Sequence, residues 1–148
     1  MDKQQQVITL LLNLIYDAIE IEQKVHNYGT DVELSSSEIY LIKIINDHSG
    51  IHVTGAAEKT GVSKAAVSQM LMRLERKGLV TKTISNENIS KYVLKLTNKG
   101  KKAHKEHMHI EKQAQKNLKK ITAQYQEIQL DIISSFLAQA KGTIENIK

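Results

Sequence analysis

Between residues 62 and 80 the chain reads VSKAAVSQMLMRLERKGLV, and its apolar positions recur at helical spacing. Val67, Met70, Leu71 and Leu74 fall on one side of such a helix; Lys64, Ala65, Ser68, Gln69, Met72, Arg73 and Arg76 fall largely on the other. Ser63 stands where an N-cap belongs, and Gly78 where a helix-ending C′ residue belongs. Just upstream, TGAAEKTG (54–61) reads as a short helix with Thr54 as its cap, closed by a turn at Gly61. Two short helices joined through a glycine-containing turn describe a helix-turn-helix. The runs LVTKTI (79–84) and KYVLKL (91–96), separated by the polar stretch 85–90, predict a hairpin with a long tip, a wing.

The flanking patterns are helical. Ser35 and Glu38 form a capping box, Leu34 and Ile39 a hydrophobic staple, and Ile39, Ile42 and Ile45 keep a helical period until Asn46–Gly50 stops it. Thr97 caps a lysine-rich helix over 98–118. Residues 4–27 predict a first helix on which Val7, Ile8, Leu11, Ile15, Ala18 and Ile19 make one face, widened by Leu10, Leu12, Leu14 and Ile21. A last helix over 121–146 carries Ile121, Tyr125, Ile128, Ile132, Phe136, Ala140 and Ile144. Both terminal helices are too apolar to be covered by one short domain. Pairing across a two-fold axis covers both, so a homodimer is expected. The expected architecture is mainly α with a small β-wing. It is a single domain over 1–148, with a winged helix-turn-helix lobe at 34–100, dimerisation helices at 1–30 and 119–148, and a connecting helix at 98–118.

Composition sharpens this picture at three points. The net charge of +5 in 148 residues suits a polyanionic partner. The chain has 21 Lys+Arg, yet its only two arginines, Arg73 and Arg76, both lie in the segment quoted first. Guanidinium groups are planar forks that match phosphates and guanine edges. Cysteine is absent, which excludes disulfides, thiolate metal ligands and thiol switches, and fits a reducing cytoplasm. The longest apolar stretch, 7–19, is interrupted by Asn13 and Asp17 and is too short and polar to span a bilayer. No signal-peptide cleavage pattern follows the N-terminus, so a cytoplasmic protein without membrane attachment is expected.

The run VSKAAVSQMLMRLERKGLV followed by LTNKG (96–100) resembles the "RLE–KGLV … LT–KG" signature of the MarR family of bacterial and archaeal transcription regulators. The order of elements resembles that family over nearly the whole chain. The resemblance implies a double-stranded DNA partner, a homodimer on a pseudo-palindromic operator, repression, and release by a small phenolic or anionic effector. Members often carry Asp-Arg at the wing tip, with the arginine in the minor groove; the matching positions here are Asn88 and Ile89. The position after Ser68, often arginine in the family, is Gln69.

On this reading the DNA-facing residues are Thr54, Ser63, Lys64, Ala65, Ser68, Gln69, Arg73, Arg76, Lys82, Asn88 and Lys91. Ala65 suits a thymine methyl, Gln69 an adenine, and Arg73 a guanine or phosphate. Ser63 and Thr54 sit at helix starts, where phosphates bind. Lys82 and Lys91 are placed to neutralise phosphates from the wing. Arg76, near the helix end, equally suits a dipole-stabilising surface role.

Tyr16, Tyr28 and Tyr40 are candidates for an effector pocket, although tyrosines at helix junctions are more often core. His107 and Glu111 share a helical face at i, i+4, a workable metal spacing. Zinc-responsive members of the family have Glu-His there and a first-helix glutamate, matched by Glu22. Their remaining ligands fall on Tyr28, Ile39 and Tyr40, so the set is incomplete; zinc responsiveness is the lesser alternative and no cofactor is required. A winged-helix assembly module without specific DNA binding is the other. No Gly-rich phosphate loop, Cys nucleophile or coherent acid–base pair points to an enzyme.

Overall fold

The computed structural model describes residues 2–87 and 91–146. Among these lie six helices and one two-stranded sheet, and the chain divides into two compact units, Met1–Met108 and His109–Lys148. The first contains α1 (Lys3–Gln23), α2 (Ser36–Asp47), α3 (Val53–Thr60), α4 (Lys64–Arg76), β1 (Val80–Ile84), β2 (Tyr92–Leu96) and the start of α5 (Asn98–Thr122). The second contains the rest of α5 and α6 (Glu127–Glu145). A mainly helical fold with a small wing is what the sequence pattern predicts.

The core of the first unit is gathered from α2, α4 and the wing. Leu34, Leu41, Ile42, Val67, Leu71, Leu74, Leu79 and Leu94 are fully buried. Each contributes about 1.5–3 kcal/mol of burial free energy. The capping box forms as predicted: the Glu38 N–H donates to Ser35 Oγ at 3.2 Å, and the Ser35 N–H donates to Glu38 Oε2 at 3.0 Å. The staple residues Leu34 and Ile39 are both buried.

The α4 helix begins and ends on local chemistry. Ser63 Oγ accepts the Ala66 N–H at 3.1 Å. At the other end Gly78 takes φ +76°, a conformation strained for any residue with a Cβ. The Leu79 N–H then donates to Leu74 O at 2.9 Å and the Gly78 N–H to Glu75 O at 2.9 Å, a Schellman motif. Leu74 and Leu79, the apolar pair such a motif brings together, are fully buried.

The two halves of the sequence signature meet at this turn. Thr97 Oγ1 donates to Gly78 O at 2.6 Å and accepts the Gly100 N–H at 3.1 Å, while the Thr97 N–H donates to Leu79 O at 3.1 Å. Gly100 lies so close to the 79 carbonyl that a Cβ there would overlap Leu79 O. The glycine of LTNKG is thus dictated by the backbone of KGLV.

The wing pairs antiparallel, from Val80 opposite Leu96 to Ile84 opposite Tyr92. It is tied to the lobe by the Leu94 N–H, which donates to Ile51 O at 2.9 Å, and by a bridge between His52 and Val93. Because residues 51 and 52 are held extended by β2, α3 begins earlier than expected. His52 occupies its N-cap position without a side-chain cap, and Thr54 lies inside the first turn. Thr54 is therefore not the cap.

Three other boundaries differ from the periodicity reading. The first helix ends at Gln23, not 27, because His26 and Leu34 exchange backbone hydrogen bonds at 3.1 and 2.8 Å around a turn with Tyr28 and Gly29 at positive φ. The fifth helix runs to Thr122, and α6 starts at Glu127, where Gln129 Oε1 accepts the Gln126 N–H at 2.8 Å. Ile121 and Tyr125 keep the apolar period across this turn, and no Gly or Pro marks it. Neither α1 nor α6 contains a buried residue.

Gly100→Ala is expected to lower stability by about 1–3 kcal/mol, the usual range for forced overpacking, because Leu79 O is backbone and cannot rotate away. Urea denaturation measures it; an unchanged midpoint would mean the two signature segments are not in contact.

Candidate nucleic-acid interface

Burial of Val67, Met70, Leu71 and Leu74 turns the opposite face of α4 outward. Lys64, Ala65, Gln69, Met72, Arg73 and Arg76 are exposed and Ser68 is half-buried. Ser63 is exposed at the start of α4, its oxygen already accepting from the helix. A cleft of about 700 Å³ runs from α3 across the start of α4 to the wing, and it is lined by Thr54, Lys64, Ser68, Lys91 and Tyr92 among others. Four predicted DNA-facing residues from three elements therefore share one concavity, with two lysines on its walls. Asn88 lies outside the described residues.

The cations behind this face are not equally available. Lys82 Nζ sits 3.1 Å from Glu75 Oε2, an ion pair between the wing and α4. Arg76 Nε donates to Met72 O at 3.4 Å on an exposed surface, in keeping with the dipole-stabilising role. Arg73 is the one of the three that meets a buried carboxylate. Its Nε donates to Glu38 Oε1 at 3.3 Å, while its side chain stays 47% exposed.

Glu38 was legible only as half of a capping box, and its larger role was missed. Among the described residues it is the one buried charge, 3% exposed. Lys77 Nζ donates to its Oε2 at 2.8 Å and also to Glu33 O at 2.8 Å. The carboxylate thus joins the start of α2 to the end of α4. Burial pushes its pKa up, but the hydrogen bond from Lys77, the Ser35 N–H, the Lys77 charge and the Arg73 hydrogen bond outweigh this and hold it below the usual glutamate range. The only sequence signal was Arg73 and Lys77 at i, i+4, two cations one turn apart facing a carboxylate elsewhere in the chain.

The effector candidates are scattered. Tyr16 is 66% and Tyr40 45% exposed. Tyr28 is half-buried and packs edge-on against His26 and His107, with ring centroids 5.8 and 5.6 Å apart. Burial raises its phenol pKa. For a metal the donor set does not fit. Tyr28 is engaged with two imidazoles, Ile39 is buried in the core, and Glu22 is exposed with its carbonyl accepting from Ser36 Oγ at 3.0 Å. Among the described residues no three His, Cys, Asp or Glu side chains, Glu22, His107 and Glu111 included, are grouped to hold a metal ion.

Comparison with known proteins places the lobe. The sequence model of the MarR family matches residues 34–88, from the staple residue Leu34 into the wing. Residues 34–88 thus match the MarR family of winged-helix regulators. It is 29% identical over 100 residues to YhjH, an uncharacterised HTH-type transcriptional regulator of Bacillus subtilis (strain 168). That match covers 68% of this chain but only 57% of YhjH. Its fold is similar to that of ZitR, a zinc-responsive MarR family member of Lactococcus lactis, with TM-score 0.77 at 19% identity over 95% of this chain and 99% of that one. It is also similar to Streptococcus pneumoniae FabT in complex with DNA, with TM-score 0.73 at 22% identity over 99% of this chain and 100% of FabT. Among the described residues no helix is long and apolar enough to cross a membrane.

A lowered carboxylate pKa stabilises the fold above the ordinary glutamate value of about 4.3, and that stability is lost as pH falls through the lower folded value. Urea midpoints of the wild type should therefore fall more steeply on acidification below about pH 4.3 than those of Glu38→Gln. Parallel curves for the two proteins would show that Glu38 carries no linked stability. At neutral pH Glu38→Ala should cost about 2–3 kcal/mol, less than a fully buried pair because Arg73 is half exposed.

Proposed function

We propose that this chain is a MarR-family, sequence-specific DNA-binding transcriptional regulator that represses as a homodimer on a pseudo-palindromic operator and is released by a small phenolic or anionic effector. The observation that carries the reading is the division of α4. One side is the fully buried Val67–Leu71–Leu74 row; the other presents Lys64, Ala65, Gln69 and Arg73 uncovered beside the lysine-walled cleft. A helix anchored on one face and bare on the other, entered by a serine cap and flanked by a wing, is built to enter a major groove.

Gln69 is the exposed group with the least competing structural work, and it can pair bidentately with adenine. Ala65 and Ser68 keep the helix N-terminal half slim enough for close approach. The exposed apolar faces of α1 (Leu10, Leu14, Ile21) and α6 (Ile128, Ile132) are each covered by a second copy in this reading. The dimer then sets two recognition helices about one turn, ~10 bp, apart on one side of the duplex. DNA binding by FabT supports the partner class, and the absence of cysteine leaves a bound organic ligand, not thiol oxidation, as the release signal. In the zinc alternative, which ZitR's zinc response keeps open, the ligand positions that the resemblance to zinc-responsive members implies fall in part on Tyr28, Ile39 and Tyr40, poor donors for zinc.

Anisotropy titration on duplex recovered from a binding selection tests the reading. Log affinity should fall with log salt at roughly −0.9 per neutralised phosphate. Gln69→Ala should cost about 1–3 kcal/mol at one base pair per half-site. Binding no stronger or more selective than a +5 chain shows towards any duplex would favour the assembly-module alternative. Separately, Leu14→Asp on the 64% exposed position of α1 should convert a dimer to a monomer in sedimentation velocity and abolish operator binding. A wild type that sediments as a monomer would remove the two-fold arrangement.

A further inference from the structure

Arg73 is the one exposed cation on α4 whose side chain is gripped from behind by a buried carboxylate. The grip is asymmetric. Glu38 Oε2 is held by two donors, the Ser35 N–H at 3.0 Å and Lys77 Nζ at 2.8 Å, which lock the carboxylate in place. Oε1 has Arg73 Nε at 3.3 Å. A guanidinium has five N–H donors in a rigid plane. With Nε–H turned onto Glu38, the other four lie on the two terminal nitrogens at the far end of the side chain. That end is the fork that pairs with guanine O6 and N7. A free arginine on a helix surface must freeze several rotatable bonds to make that contact; one docked on a fixed carboxylate has already done so. Lysine, with a single compact ammonium, cannot serve both partners at once.

We infer that Glu38 is a positioning residue for base reading. It orients Arg73 as a pre-set fork for a guanine in each half-site, while Lys77 carries the structural side of the same cluster. The inference rests on the DNA-binding function proposed above. It divides the cluster's two roles between two cations. Losing Lys77 weakens the joint between α2 and α4, whereas losing the Glu38 charge unlocks Arg73 and blurs one position of the operator. An Arg73 that merely touched phosphate would give affinity without base preference.

Selection of duplexes from a randomised library, followed by anisotropy titration against the recovered site and its single-base variants, tests this with four proteins. The wild type should recover a motif with one G·C position per half-site at which substitution costs roughly tenfold to a hundredfold in affinity. Glu38→Gln, close in shape and able to stay in the capping box, should lose preference at that position alone and keep it at the position Gln69 reads. Arg73→Lys should lose the same preference with little change in salt slope, because the charge is kept. Lys77→Met should lower the urea midpoint yet recover the wild-type motif. A Glu38→Gln protein that recovers the full wild-type motif overturns the inference while leaving the DNA reading intact, as does Lys77→Met blurring the same position. A wild type that recovers no motif removes both.

Discussion

A carboxylate taken out of water must be answered by positive charge and hydrogen bonds, and in this chain one such group organises the lobe. Glu38 caps its own helix, closes on Lys77 and restrains Arg73, so the start of α2 and the end of α4 are fixed to each other by a single side chain. Hydrophobic burial alone would allow α4 to slide or rotate within the shared core, since apolar contacts are non-directional. The ion cluster sets a register that the core does not. Buried charges often add little net stability against an apolar replacement and are best attested as devices that choose one arrangement. In the proposed function, where α4 enters a groove, such a choice matters more than its stability.

The turn after α4 imposes the second constraint. Gly78 adopts a left-handed backbone, and this directs the 79 carbonyl toward the start of α5. That carbonyl accepts the Thr97 N–H and crowds Gly100, so the wing returns to within one backbone layer of where it left. The two cations of the ion cluster and the glycine of this turn occupy six consecutive residues, Arg73 to Gly78. The geometry of α4 and the geometry of the wing are consequences of the same short segment.

Much of this was legible in the pattern because it is local. The Ser35 capping box, the Ser63 cap, the buried row of α4, the Gly78 stop and the hairpin all follow from residues within a few positions of one another, and each appears where expected. What escaped was non-local. Thr54 reads as a cap until residues 51 and 52 are seen paired to a strand some forty positions later. Nothing in the pattern pairs Lys82 on the wing with Glu75 on α4, which lies beside it. The partner of Arg73 lies thirty-five residues away, and no periodicity connects them. The turn between α5 and α6 was hidden for the opposite reason: the apolar period of Ile121, Tyr125 and Ile128 continues through it with no Gly or Pro to betray the break.

The restriction of arginine to positions 73 and 76 in a lysine-rich chain now has a physical reading for one of the two. Lysine suffices where a compact ammonium meets acceptors gathered at one point, as Lys77 does with Glu38 and the Glu33 carbonyl and Lys82 does with Glu75. Arg73 stands between a buried carboxylate on one side and open solvent on the other, and only a side chain with donors on two separate edges can face both. Arg76 has no such double demand: it turns to the carbonyl of Met72 one turn back, which a lysine at a helix end also does. The guanidinium at 73 therefore follows from the base-reading role inferred above, and the guanidinium at 76 is explained by nothing in the structure.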